Sequence, residues 1–354
     1  MNHLKKIEQK LPEYGLDAML VTSAPGEFYA VGFHGEGVAL VTRERSWYYT
    51  DSRYIEAAQK QIKDAEVAVP RRGESYASLI KMLVEQNNIK TLGIEEQYMS
   101  VETYDRWRDA LPAELKSAGG LLNELRMVKD EEELFLMEAA QRITDEAFLK
   151  ICEFIKPGMT ELEISARLQY EMLCAGAQKM SFDPIVAAGP NGSMPHAIPG
   201  PRKVERGDFI TMDFGCMVGG YCSDMTRTVA LGEPSEEMRK VYRVVQEAQK
   251  AGIATAHGGV KGCDVHNAAR QVIADAGYGE YFGHGFGHSL GIEIHEDPRF
   301  SPAWEKPIPA GAVLSAEPGI YLPGKFGMRI EDVIVLTENG CRDITHSEKE
   351  LIIL

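Results

Sequence analysis

Gly207-Asp208-Phe209-Ile210-Thr211-Met212-Asp213-Phe214-Gly215 runs towards Gly219-Gly220 and returns as Tyr221-Cys222-Ser223-Asp224-Met225-Thr226-Arg227-Thr228. A Gly-Gly pair between two apolar runs is a strong signal for a two-residue hairpin turn. With the turn there, Asp213 faces Thr226 and Asp224 faces Gly215. The two aspartates then project from one face as diagonal neighbours, roughly 7–8 Å apart at their Cα atoms. Asp is depleted in strands, and like charges facing each other destabilise a sheet. Either that face is open to water or something compensates for the pair.

The elements flanking this hairpin set the architecture. Upstream, Lys129-Asp130-Glu131-Glu132-Glu133 opens a long amphipathic helix to about Ile155, with its acidic residues in the first turn where the helix dipole favours them. Pro157-Gly158 stops it. Thr160-Glu161-Leu162-Glu163 has capping-box spacing and starts a second helix to about Cys174, followed by an apolar strand over Pro184–Ala188. Downstream the order repeats. Pro234-Ser235 caps a helix to about Ala256, a second helix runs from about Asp264 to Ala276, and a β-rich stretch covers Ala312–Leu336. Helix, helix, histidine-bearing loop or strand, then hairpin, twice over, predicts an internal duplication whose seam draws ligands from both halves.

Between the second helix pair and the second hairpin lies Gly283-His284-Gly285-Phe286-Gly287-His288-Ser289-Leu290-Gly291-Ile292-Glu293-Ile294-His295-Glu296, with three of the chain's nine histidines on a glycine frame. The plain reading is a Gly-rich turn entering a strand at Ile292–His295. In the second hairpin, Glu317 is embedded in an apolar segment, and Arg329 and Glu331 share one strand face by period two. Taken alone, that half reads as a surface Arg329–Glu331 pair. Asp213, Asp224, Glu317 and Glu331 together carry −4, which two divalent cations cancel. Oxygen-rich ligands with a single imidazole suit Mn²⁺-like ions rather than thiolate-bound zinc. Two such ions activate a water and polarise a carbonyl, which is hydrolytic chemistry.

The first ~120 residues read as a smaller α/β layer domain. A helix over 1–14 precedes a strand over Asp17–Thr22, a strand pair at Gly37–Val41 and Trp47–Thr50, and helices near 54–63, 74–87 and 100–110 around a strand at Thr91–Ile94. No phosphate loop or nucleophile elbow occurs here, and a boundary is expected near Gly119–Asn123. The net charge of −15 over 354 residues argues against nucleic acid or an anionic membrane as partner. No signal peptide or bilayer-length apolar run is read. Six cysteines without a CxxC pair predict reduced thiols in the cytoplasm.

The segments Asp213-Phe214-Gly215, Ser223-Asp224-Met225-Thr226-Arg227-Thr228, His284-Gly285-Phe286-Gly287-His288, His295-Glu296, Glu317-Pro318-Gly319 and Arg329-Ile330-Glu331-Asp332 make the chain resemble the pita-bread metallopeptidases. Within them it is similar to the Xaa-Pro group, the prolidases and aminopeptidases P, over essentially its whole length. The resemblance implies an α+β fold: a creatinase-like α/β domain over 1–122, then a pita-bread catalytic domain over 123–354 with a pseudo-two-fold duplication and a curved antiparallel sheet. It implies that Asp213 chelates one of two divalent metals, that Asp224 and Glu331 bridge both, and that His288 and Glu317 hold the second. Mn²⁺ is the expected ion, with Co²⁺ or Zn²⁺ as alternatives. His196, His284 and His295 resemble substrate-side histidines, and Arg329 the arginine supporting a bridging carboxylate. Tyr221 and Thr226 are expected to brace the ligands, while Glu296 stays outside them.

The implied reaction is hydrolysis of the bond before proline by a metal-activated water, with Glu317 shuttling its proton and His295 stabilising the oxyanion. An Xaa-Pro dipeptidase acting on proline dipeptides is the first reading, and an aminopeptidase P releasing the residue before proline the second. A non-catalytic peptide-binding relative, creatinase-like C–N hydrolysis and methionine aminopeptidase are disfavoured by the retained ligand set and the N-terminal domain. A homodimer is implied. The segment Gly26–Gly35 departs from the family's usual Asn-x-x-Tyr pattern and is expected to be a loop; in some relatives this loop reaches the partner subunit's site, but His34 reads first as a solvent-facing loop histidine. Asp51-Ser52-Arg53-Tyr54 resembles the family's motif and is expected to hold domain structure.

Overall fold

The computed structural model describes residues 2–354, and the chain divides into two compact units, one ending at Arg126 and one beginning at Met127. In the first, Ala18–Val21 lies inside a six-stranded sheet, antiparallel to Val38–Thr42 and parallel to Thr91–Ile94. Leu79, Ile80, Leu83 and Val84 of the helix Tyr76–Gln86, with Trp107, close its core against Leu20, Leu40 and Leu92. One expectation is corrected in this unit. Much of the segment expected as a loop is the helix Ala24–Val31, because Ser23 caps it by accepting from the Gly26 N–H and the proline sits in the first turn, where a missing N–H costs nothing. The residues around the expected boundary form the helix Gly119–Met127, held by the buried side chains of Leu121 and Leu122, and the division between the units falls at its end. Burial overrides the poor helix propensity of glycine. Asp51, Arg53, Tyr54 and Glu36 form an exposed hydrogen-bonded cluster, with Arg53 Nη2 2.6 Å from both Glu36 and Asp51.

Three helices of the second unit start at side-chain caps. Asp130 and Glu133 form a capping box for Glu131–Phe154, Thr160 and Glu163 another for Glu161–Cys174, and Ser235 caps Glu236–Thr255. Gly262–Asp275 completes the second pair. Each pair packs on its own sheet. One core joins Phe148, Ile151 and Leu168 to Met212, Phe214 and Val229; the other joins Val241, Val245 and Ile273 to Phe286, Leu314 and Ile334. Each such side chain contributes about 1.5–3 kcal/mol by leaving water, so the two cores fix the helix–sheet geometry of each half.

The first sheet holds Ile185–Ala188, Phe209–Phe214 and Met225–Ala230, all antiparallel, with Thr226 opposite Asp213. Gly219 and Gly220 both have positive φ, 57° and 85°, as the mirror-image turn of a tight hairpin requires. The second sheet runs Glu296–Phe300, Gly287–Ser289, Val313–Ala316, Asp332–Thr337, Gly340–Asp343. Ala316 faces Asp332 and Gly319 faces Arg329, which brings Glu317 across from Glu331. The sheets meet along one seam. The Glu331 N–H donates to the Thr226 carbonyl and the Thr228 hydroxyl to the Arg329 carbonyl, both at 3.0 Å. The expected strand at Ile292–His295 is not formed; the strand starts at Glu296 and the preceding residues bend. Among the described residues, no helix is long and apolar enough to cross a membrane.

Candidate active site

A cavity of about 590 Å³ opens at the seam, and Asp213, Asp224, His284, His288, His295, Glu317, Arg329 and Glu331 all line it, with His196 at its mouth. Asp213 comes from the outgoing strand of the first hairpin and Asp224 from the residue before its return strand. Glu317 and Glu331 come from the matching positions of the second hairpin. The Glu317 N–H is fixed by the Phe286 carbonyl at 2.7 Å, and its Oε1 accepts from Ser315 Oγ at 3.1 Å. His288 stands on the short strand Gly287–Ser289, with Nε2 3.3 Å from Glu317 Oε1 and 3.7 Å from Asp224 Oδ2.

These approaches are not ion pairs. Burial pushes the His288 pKa down to about 4, so at neutral pH its ring is uncharged and offers a lone pair. Burial, and then the charge of Glu331, Asp213 and Glu317, holds the Asp224 carboxyl well above the usual range. Burial followed by Glu317 and Asp213 does the same for Glu331, and burial raises Glu317. Oδ1 of Asp213 and Oδ1 of Asp224 are buried without a hydrogen-bond partner. An orphaned buried carboxylate oxygen costs free energy unless a cation reaches it. Single ligand atoms of Asp224, His288 and Glu331 lie within 4.8 Å of one another, so one ion can touch all three. The donor set and its orphaned atoms therefore fit divalent cations.

Arg329 is the fixed positive charge beside this cluster. Its Nη2 donates to Asp213 Oδ2, its Nε to Thr226 Oγ1 at 2.9 Å and its Nη1 to the Tyr321 hydroxyl at 2.7 Å. Both Arg329 and Glu331 are buried, so the surface pair that their half suggests when taken alone is not formed, and Arg329 turns to Asp213. Thr226 braces two groups at once, because its hydroxyl also donates to Glu331 Oε2 at 2.7 Å. The Tyr221 hydroxyl donates to Glu133 on the long helix, 2.8 Å away.

Two further residues escaped the sequence reading. Tyr321 accepts from Arg329 and lies 3.0 Å from His284 Nε2, so its proton points to the ring; His284 Nδ1 then carries the hydrogen that meets the Gly285 carbonyl at 2.8 Å. Even spacing from Glu317 places Tyr321 on the same strand face and was the available signal. On the reverse face, the buried Arg227 donates to the carbonyl of Glu331 at 2.6 Å and to Asp332 Oδ1 at 2.7 Å. His295 is exposed at the rim with its ring edge-on to His288, centroids 4.4 Å apart, and its pKa is lowered first by burial and then by His288. His196 is exposed on the loop that Glu161 secures by accepting from the N–H groups of Ala188 and Gly200. Glu296 points away from the cluster to Lys129.

Comparison with known proteins bears on both units. The model of metallopeptidase family M24 matches residues 136–338, and that of the creatinase/prolidase N-terminal domain matches 3–128. The uncharacterized peptidase YqhT of Bacillus subtilis is 42% identical over 353 residues, 99% of each chain. The Xaa-Pro dipeptidase from Bacillus anthracis superposes with a TM-score of 0.95 at 38% identity, covering 99% of both chains. The X-Pro aminopeptidase from Thermotoga maritima superposes with a TM-score of 0.93 at 37% identity, covering 99% of this chain and all of that one.

Proposed function

Because the chain belongs to metallopeptidase family M24 and carries a creatinase-type N-terminal domain, we propose that it is an Xaa-Pro dipeptidase that hydrolyses the peptide bond before proline in short peptides. The observation that carries this reading is the pair of orphaned aspartate oxygens beside the half-buried Glu317, the buried Glu331 and a neutral imidazole. Asp213, Asp224, His288, Glu317 and Glu331 would hold two divalent ions, Mn²⁺ first among the candidates for a mostly carboxylate set. When bound, such ions lower the pKa of a water and polarise a carbonyl.

The chain's own groups account for the rest. Glu317, whose carboxyl is raised by burial, is suited to take the proton released by the attacking water and to pass it to the leaving proline nitrogen. His295 is neutral at pH 7 and donates a hydrogen bond to the carbonyl oxygen as negative charge develops there. Arg329 holds Asp213 in place through its guanidinium, and His284 is held upright by Tyr321. His196 closes the mouth over the substrate. Proline's tertiary amide has no N–H and a fixed φ, so a site acting through the carbonyl and the water does not depend on the missing donor. A homodimer in the cytoplasm belongs to the same reading, the compartment resting on six unpaired thiols.

A second reading, an Xaa-Pro aminopeptidase, is favoured by the likeness to the Thermotoga maritima enzyme. Steady-state assays of Ala-Pro and Ala-Pro-Ala with added Mn²⁺ separate the two. The dipeptidase reading expects kcat/KM on the dipeptide to exceed that on the tripeptide by at least about tenfold, 1.4 kcal/mol of discrimination. Comparable turnover of both assigns the aminopeptidase, and turnover of neither removes both.

A further inference from the structure

We propose that Lys129 is a positioning residue for His295, clamping the neck of the loop that joins His288 to His295. The proposal rests on the role given to His295 above. Gly287 faces Phe300 and His288 faces Arg299, but the register then shifts so that Ser289 pairs with Glu296. Leu290–His295 is therefore a closed excursion whose neck is Ser289 and Glu296. His288 precedes the neck and His295 is the last residue inside it.

Lys129 spans that neck. Its Nζ lies 3.2 Å from Ser289 Oγ and 3.1 Å from Glu296 Oε2, and both charged side chains are buried, at 1% and 5% exposure. Ser289 Oγ donates onward to the Val313 carbonyl at 2.8 Å, and the Lys129 N–H to the Gly311 carbonyl at 3.1 Å, so the clamp is anchored on both sides. Glu296 reaches into the loop as well, its Oε1 accepting from the Glu293 N–H at 3.1 Å. A Cβ at Gly291 would stand 3.0 Å from both Glu296 oxygens and from Lys129 Cε, so the loop packs closely onto the ion pair. The Gly291 carbonyl accepts from the Cys222 N–H at 2.8 Å, tying the loop to the first hairpin. The neck thereby sets the edge-on approach of the two histidine rings.

The test compares wild type, Lys129→Met, Lys129→Arg and the double variant Lys129→Met/Glu296→Gln. Single removal leaves a buried charge unpaired and endangers the fold; the double variant leaves none. Two readouts are taken: deuterium uptake by residues 290–295 in the metal-free protein, and the split of kcat against KM on Ala-Pro with Mn²⁺. Faster uptake and a kcat lowered by about 10–100-fold at unchanged KM are expected in the double variant, the range typical of lost supporting contacts. Lys129→Arg should recover most of both. A pair that only stabilises would lower Tm and leave the kcat split untouched. Wild-type uptake and kcat in the double variant overturn the clamp. If wild type does not turn over Ala-Pro, or His295→Ala keeps full kcat, the functional reading fails instead, and deuterium uptake still decides the clamp.

Discussion

Asp224 is the residue on which charge and burial conflict most. Its carboxylate is buried beside Glu331, Asp213 and Glu317, and one oxygen has no hydrogen-bond donor. Asp224→Asn removes that anion while keeping the shape. The metal-free variant should melt above wild type, and the bound-metal count should fall from about two ions per chain to one or none. Activity on Ala-Pro should drop beyond the ~100-fold typical of an outer contact. Calorimetry, metal analysis and a peptidase assay check the three together; unchanged metal content would remove Asp224 from the site. At this scale the sequence was legible wherever a charge broke an apolar strand, as Asp213, Asp224 and Glu317 do. It was illegible for Tyr321, Arg227 and Lys129. An aromatic in a strand or a lysine before an acidic helix start has an ordinary reading, and only the fold shows what it reaches.

Among the elements, the two hairpins were recoverable because glycine pairs and alternation determine register, and Thr226 does face Asp213 as the Gly219-Gly220 turn requires. The helix Ala24–Val31 and the helical Gly119–Met127 were not, because tertiary burial outweighs local glycine and proline preference. The contact between the hairpins lies outside any local pattern, and Thr226 is its most informative member. Thr226→Val keeps the volume but removes the hydroxyl shared by Glu331 and Arg329. Metal affinity measured by chelator competition should weaken about tenfold. Stability should fall by about 1–3 kcal/mol, because buried partners are left unsatisfied. Wild-type affinity would mean that Glu331 is held by its backbone alone.

Across the whole molecule, the buried site links stability to pH. Folded-state pKa values of Asp224, Glu317 and Glu331 are raised, so above the ordinary carboxylate range the folded protein binds more protons than the unfolded chain. Their contribution therefore falls as pH rises towards the raised values. His288 has the opposite sign: with its pKa near 4 instead of 6.5, it loses stability only as pH falls below 6.5. Above pH 6.5 the contribution of His288 is complete and the raised carboxylates set the sign, so the metal-free protein should melt lower at the higher pH. Cations take the deprotonated form, so the rise in Tm on adding Mn²⁺ should grow over the same interval, with protons released on binding. A rise that shrinks with pH would contradict the carboxylate assignment.

The hydrogen bonds from Thr226 to Glu331 and from Arg329 to Asp213 join positions 105 and 116 residues apart. Loops of that length must close before either bond forms, and non-local closure is slow. Asp213 and Asp224 precede Glu317 and Glu331 by about a hundred residues, so the four carboxylates meet only once both hairpins exist. A complete set of candidate ligands is thus a property of the closed fold and not of its first hairpin.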